Sequence, residues 1–183
     1  MTAFSAPLRL LRGLLLASAV LLAGCSVFKT APSPVEPKEA PVTTGLVLTG
    51  AGVQRFQCAS DKQGYWWRFI APEAVLKDKS GRTVARQGAD FNFTAPDKSK
   101  LASRIVSSSA GRTDKDLKDV LFAVTPAGKV KKGTLTPYRW VKRDKAAGGI
   151  PAAACNRASL GSLLSVRFTA RYTFYKTNPQ KKK

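Results

Sequence analysis

Leu164-Ser165-Val166-Arg167-Phe168-Thr169-Ala170-Arg171-Tyr172-Thr173-Phe174-Tyr175 is the stretch that decides the fold. Leu164, Val166, Phe168, Ala170, Tyr172 and Phe174 fall on one face, and Ser165, Arg167, Thr169, Arg171, Thr173 and Tyr175 on the other. Period-two alternation sustained over this length specifies a strand and excludes a helix. The second face is polar, so one side of the strand is expected to meet water.

Working back along the chain, the pattern stays mostly β. Gly52 to Cys58 places Gln54, Phe56 and Cys58 on one side, and Tyr65 to Ile70 is an aromatic-rich strand. Val75 to Lys77 and Thr83 to Arg86 flank Asp78-Lys79-Ser80-Gly81-Arg82, a hairpin signal. Phe91 with Phe93, the run Leu101 to Val106, and Leu121 to Thr125 before Pro126-Ala127-Gly128 predict further strands. Leu135 to Lys142 alternates loosely around Tyr138 and Trp140, and Thr113-Asp114-Lys115-Asp116 before Leu117 predicts one capped short helix. The expected class is mainly β: a single-domain β-sandwich or barrel with at most one or two short helices.

The N-terminus has a different character. Arg9 and Arg12 precede an apolar run, Leu14 to Ala23, that is too short to cross a bilayer of roughly 30 Å as a helix. It ends in Leu22-Ala23-Gly24-Cys25, which resembles the lipobox of bacterial lipoproteins. That resemblance implies a signal peptide over residues 1–24, removed before Cys25, with acyl chains on the Cys25 thiol and usually on the new amine. Two or more chains hold a protein stably at a membrane, at about 0.8 kcal/mol per buried CH₂. Ser26 stands where such lipoproteins carry an inner-membrane retention Asp, so an outer-membrane location in the cell envelope, facing the periplasm, is expected. Pro32, Pro34, Pro37 and Pro41 mark residues 25–45 as a lipidated, proline-rich tether. The β domain is expected over 46–176 and a basic tail over 177–183.

Composition narrows the chemistry. The 183 residues contain no histidine, which excludes a Ser-His-Asp triad, a Cys-His dyad, a haem histidine and a histidine-based zinc site. No catalytic residue, metal ligand or cofactor is expected. Asp114, Asp116 and Asp119 are the one dense acidic group, but they alternate with Lys115 and Lys118 as a solvated turn does and lack calcium-loop spacing. With Cys25 acylated, Cys58 and Cys155 remain as an even pair outside the cytoplasm, where such cysteines pair. Closing a loop of about a hundred residues stabilises by roughly 4–5 kcal/mol in the chain-entropy view.

The formal charge is +20, from 31 Lys and Arg against 11 Asp and Glu. Lys129, Lys131, Lys132, Arg139, Lys142, Arg143 and Lys145 crowd one segment, and Lys181 to Lys183 end the chain. Lys131, Lys132, Arg139, Lys142 and Arg143 are therefore candidate ligand contacts for anionic partners: lipid headgroups or an acidic cell-wall polymer. Nucleic acid is not expected in the envelope. Trp66 and Trp67 are the alternative candidates, as a stacking platform of a carbohydrate-binding or hydrolytic accessory domain; at most one of them faces the core in a regular strand. A structural role in an envelope complex is the third reading.

These motifs together resemble a known family, the domain-of-unknown-function family 3455. The resemblance rests on Gly52-Val53-Gln54 with Phe56 and Cys58, Trp67 to Ala74, Leu76, Asp78 and Gly81, Gly148-Gly149, Pro151, Cys155, and Ala170-Arg171-Tyr172-Thr173-Phe174-Tyr175. It implies a mostly β fold and supports pairing of Cys58 with Cys155. It implies no activity. The family's His-Tyr-x-Gly-Pro-x-Trp-like segment is replaced here by Gln87 to Phe93, and its Pro-Trp before the central apolar strand by Leu117 to Leu121. Any role of that histidine or tryptophan is not carried over.

Acylation is directly testable. Labelling with a fatty-acid analogue in cells should mark the protein, and Cys25→Ala should abolish the label; equal labelling of both would end the lipobox reading.

Overall fold

The computed structural model describes residues 36–37 and 42–177. Cys25, the signal segment, most of the tether and the end of the tail lie outside the described residues. Eight antiparallel strands, β1 (Val42–Asp61), β2 (Gly64–Lys77), β3 (Thr83–Gln87), β4 (Phe93–Thr94), β5 (Lys100–Ser109), β6 (Asp119–Ala127), β7 (Trp140–Gly148) and β8 (Leu163–Thr177), form a closed barrel in sequence order. Of the two expected architectures, the barrel is the one formed. Each strand pairs with the next, and β8 returns to β1 from Val42↔Thr177 to Gln57↔Leu163. The strand β1 begins at Val42, so the last residues of the expected tether, 42–45, already belong to the wall.

Antiparallel order sorts the connections into two ends. The β1–β2 turn, Ala89–Phe91, residues 110–118 and residues 149–162 lie at the upper end. The β2–β3 hairpin, residues 95–99, residues 128–139 and the first and last strand residues lie at the lower end.

The strand β8 runs as its alternation predicts: Phe168, Ala170, Tyr172 and Phe174 are buried inside. They meet Leu48, Leu76, Phe93, Leu101, Phe122 and Val141 in one core. Phe93 makes edge contacts with Phe122, Tyr172 and Phe174 at centroid distances of 5.4–6.2 Å. Burying each such side chain contributes roughly 1.5–3 kcal/mol.

Three expectations are corrected. Tyr65–Ile70 and Val75–Lys77 are one strand that passes through Pro72 and a bulge opposite Arg55/Phe56. Leu135–Tyr138 is a turn that plugs the lower end: Pro137 has no N–H for a ladder, and Leu135 and Tyr138 are buried beneath the core. Residues 113–117 form a turn closed by an isolated bridge, Asp116↔Gly149, instead of a helix. Asp116 Oδ1 accepts from the Gly148 N–H at 2.8 Å and Oδ2 from the Thr113 hydroxyl at 3.0 Å, so its carboxylate serves the β7 end and not a helix start.

Cys58 on β1 is disulfide-bonded to Cys155, 97 residues on, which holds the β7–β8 connection against the wall. At Gly52 the backbone of β2 lies directly against β1. A methyl group there would fall 1.9 Å from the Glu73 carbonyl oxygen and 2.6 Å from Ala74 Cα, both backbone atoms unable to swing aside. Gly52→Ala should therefore lower stability by at least the ~1–3 kcal/mol typical of overpacking. Gly88→Ala, which meets open space, should change it little. Equal melting temperatures for the two variants would refute this packing.

Candidate functional site

The five basic candidates do not form one patch. Lys142 and Arg143 are consecutive in β7, so they face opposite sides of the wall, and both are buried, at 6 % and 4 % exposure. Lys142 lies outside, paired with Glu36 and, at 3.4 Å, with Asp144. Burial disfavours its charge, but the Glu36 and Asp144 carboxylates more than offset that and raise its pKa. Asp144 also holds Arg171, at 2.7 and 2.5 Å, and despite burial its pKa is lowered by Arg171 and Lys142. Lys131 and Lys132 are exposed in the lower connection, while Arg139 Nη1 donates to the carbonyls of Thr136 and Tyr138 at 2.8 Å.

The tryptophans are likewise separated. Trp67 is the register partner of Cys58 and donates its indole N–H to the Ala153 carbonyl at 2.7 Å, clasping the disulfide-bearing connection. Trp66 pairs with Ala59 on the other face and is 40 % exposed. Two rings on opposite faces make no common platform. Among the described residues, no group of three or more Cys, Asp or Glu side chains gathers to hold a metal ion.

Spacing along the sequence did not reveal a groove on the outer wall. Adjoining depressions run along the outer side of β1, floored by Thr49, Ala51, Val53, Val75, Ala147 and Thr169. The two largest have volumes of about 690 and 660 Å³. The floor is shallow because its side chains are small. The rim carries Lys77 from β2, Lys79 from the β2–β3 hairpin, Arg86 from β3, Lys100 from β5, Lys145 from β7 and Arg167 from β8. All six are exposed. None is in an ion pair among the described residues, whereas Glu73 at the same rim is occupied by Arg55 at 2.6 Å. The two carboxylates of the lining, Glu73 and Asp78, are paired with Arg55 and Arg82, which leaves the groove with an excess of positive charge.

The lower connection is held by Asp97. Its carboxylate accepts from the Ser99 hydroxyl and N–H at 2.6 and 2.9 Å, and from the Thr134 N–H and hydroxyl at 2.7 and 2.8 Å. The Ser99 hydroxyl and then the Thr134 N–H hold its pKa far below the ordinary carboxylate value.

Residues 39–176 match the family described as Protein of unknown function (DUF3455), and the chain belongs to that family. No curated protein and no solved structure matches it.

A carboxyl group whose folded-state pKa is depressed lends stability above its unfolded value, near 3.8, and loses it as pH falls through the folded value. Asp97→Asn should thus lower the melting temperature at neutral pH, flatten its acid dependence below about pH 4, and speed proteolysis within residues 128–139. A variant with the wild-type acid profile would show that the carboxylate does not hold this connection.

Proposed function

We propose that this protein is a lipid-anchored, non-enzymatic module of the cell envelope whose outer groove along β1 holds an anionic polymer. The observation that carries this reading is the rim: six exposed cations from five strands and a hairpin, in no ion pair among the described residues, border the adjoining depressions of small side chains along β1. Such a surface raises the local concentration of a polyanion and admits an extended chain without steric conflict. The lipobox ending at Cys25 supports the envelope location. The place where the chain enters the barrel supports it too. Val42 starts at the lower end, where Lys79, Lys98, Lys129, Lys131 and Lys132 are exposed on the connections. A tether leaving from that end turns the lysines toward the membrane and lets the groove run up from it. Each cation near an anionic surface contributes about 1 kcal/mol, fading over roughly 8 Å at physiological salt.

The test uses polygalacturonate as the polymer and phosphatidylglycerol vesicles as the membrane. The protein should bind the polymer at low salt and release it as salt rises. The triple variant Lys77→Glu/Arg86→Glu/Lys145→Glu should bind more than about tenfold more weakly. Lys129→Glu/Lys131→Glu/Lys132→Glu should cost the polymer little and the vesicles more. If the two triple variants lose polymer equally, charge is diffuse and the groove is not the site.

A further inference from the structure

The interior of the barrel carries a buried cation whose hydrogen bonds are incomplete among the described residues. Arg143 points inward between its register partners Val120 and Tyr172. Nη2 donates to the Lys118 carbonyl at 3.0 Å, but Nε and Nη1 have no hydrogen-bond partner among the described residues. Arg143 is in none of the ion pairs there. Two amides share the interior with it. Tyr172 lies beside Arg143 and reaches across the barrel to donate to Gln87 Oε1 at 2.8 Å, which leaves Gln87 Nε2 without a partner. Gln54 Nε2 on β1 is also unpartnered. Gln54 is 3 % and Gln87 2 % exposed. The fully buried atoms left unpartnered on these three inward side chains, Arg143 Nε and Nη1, Gln54 Nε2 and Gln87 Nε2, are all N–H donors. A buried charge lacking a counter-ion is strongly disfavoured, and converging unpartnered donors beside a guanidinium are completed by an anion.

A second set of observations lies on the facing wall. In an eight-stranded ring, β3 stands opposite β7, and β3 and β4 are the shortest strands, so the wall is low there. Phe91 fills the gap, stacked on Phe69 at 5.5 Å and tilted against Phe122 at 5.6 Å. Its backbone is strained: Phe91 and the preceding Asp90 are non-glycine residues at φ 57° and 54°. Phe69, the adjacent Ile70, and Ile105 and Val106 on β5 are 37–48 % exposed. An eight-stranded barrel is wide enough for packed side chains or one small ligand, and ligand sites are typically apolar with a few fixed polar groups.

We propose that the barrel interior binds a single-chain carboxylate amphiphile, its head on Arg143, Gln54 and Gln87 and its alkyl chain leaving past Phe91 between Phe69 and Ile105. The planar guanidinium and amide donors match a carboxylate's two oxygens. The apolar rim covers the chain, and the strained Phe91 is the side chain that moves.

Decanoate, decanol and decyltrimethylammonium are the probes, titrated calorimetrically into the purified protein at fixed ionic strength. Decanoate should bind saturably at one per chain, at least tenfold more tightly than decanol, and the cationic amphiphile should not bind. Arg143→Met should erase the preference for decanoate over decanol, and Phe91→Ala should speed association. Gln87→Leu, which keeps the guanidinium, should weaken decanoate more than decanol and supplies the same readout if Arg143→Met does not fold. The groove variant Lys77→Glu/Arg86→Glu/Lys145→Glu should bind decanoate like the wild type. Equal affinity for decanoate and decanol, binding of neither, or a preference untouched by both interior substitutions would overturn the proposal.

Discussion

Everything else in the molecule depends on the ladder between β1 and β8. It joins the first and last strands over nearly their whole length, and it converts an eight-stranded meander into a ring with no open edge. The closure is sterically demanding. Tyr172 lies over Gly50, where a methyl group would come within 2.4 Å of its ring, so the glycine and the tyrosine form one packing unit across the seam. That unit sets two surfaces at once. Inside, it fixes Tyr172 next to Arg143 and within reach of Gln87. Outside, it holds β1 between β2 and β8 as the floor of the basic groove. The disulfide from Cys58 reinforces the same seam at its upper end, because the connection it captures leads directly into β8.

The faces of the strands were legible in the sequence; their partners were not. Alternation told which side of Leu164–Tyr175 is buried, and cysteine parity, with Cys25 set aside for the lipobox, named the Cys58–Cys155 bridge. Period two says nothing of which strands meet, and closure joins residues as far apart as Val42 and Thr177, so barrel and sandwich read alike. Prolines misled in an instructive way. Pro72 and Pro126 lie within strands, yet each sits where only one flanking strand is paired: β3 joins β2 only from Ala74 onward, and β7 joins β6 only as far as Ala123. A missing N–H breaks no ladder there. The gap beside Pro72 reflects the short β3, where the wall is low.

The charge clusters failed for the same geometric reason. Adjacent residues of a strand point to opposite faces, so a dense basic run such as Lys142-Arg143 is divided between the outside and the inside. A basic surface on a barrel is assembled across strands, one residue from each. Lys77, Arg86, Lys100, Lys145 and Arg167 are far apart in the chain, and no local window contains them together.

The contrast within Lys142-Arg143-Asp144 bears most directly on function. The two outer residues are members of an ion-pair group with Glu36 and Arg171, and their pKa shifts favour the charged forms. The residue between them is in no ion pair among the described residues; burial pushes its pKa down, against the opposing pull of Tyr172 and Asp119. Burial also pushes the Tyr172 hydroxyl beside it up to about 12, so the tyrosine stays neutral and supplies no counter-charge. This stretch thus pairs its charges on the outer face and leaves the one on the inner face outside any ion pair among the described residues. Packing alone does not call for such an arrangement: Val141, two residues earlier on the same inward face, is fully buried and apolar, and replacing a buried ionic group by an apolar one of similar volume is often neutral or stabilising. An arginine at this position is therefore better explained by something it meets than by the wall it belongs to.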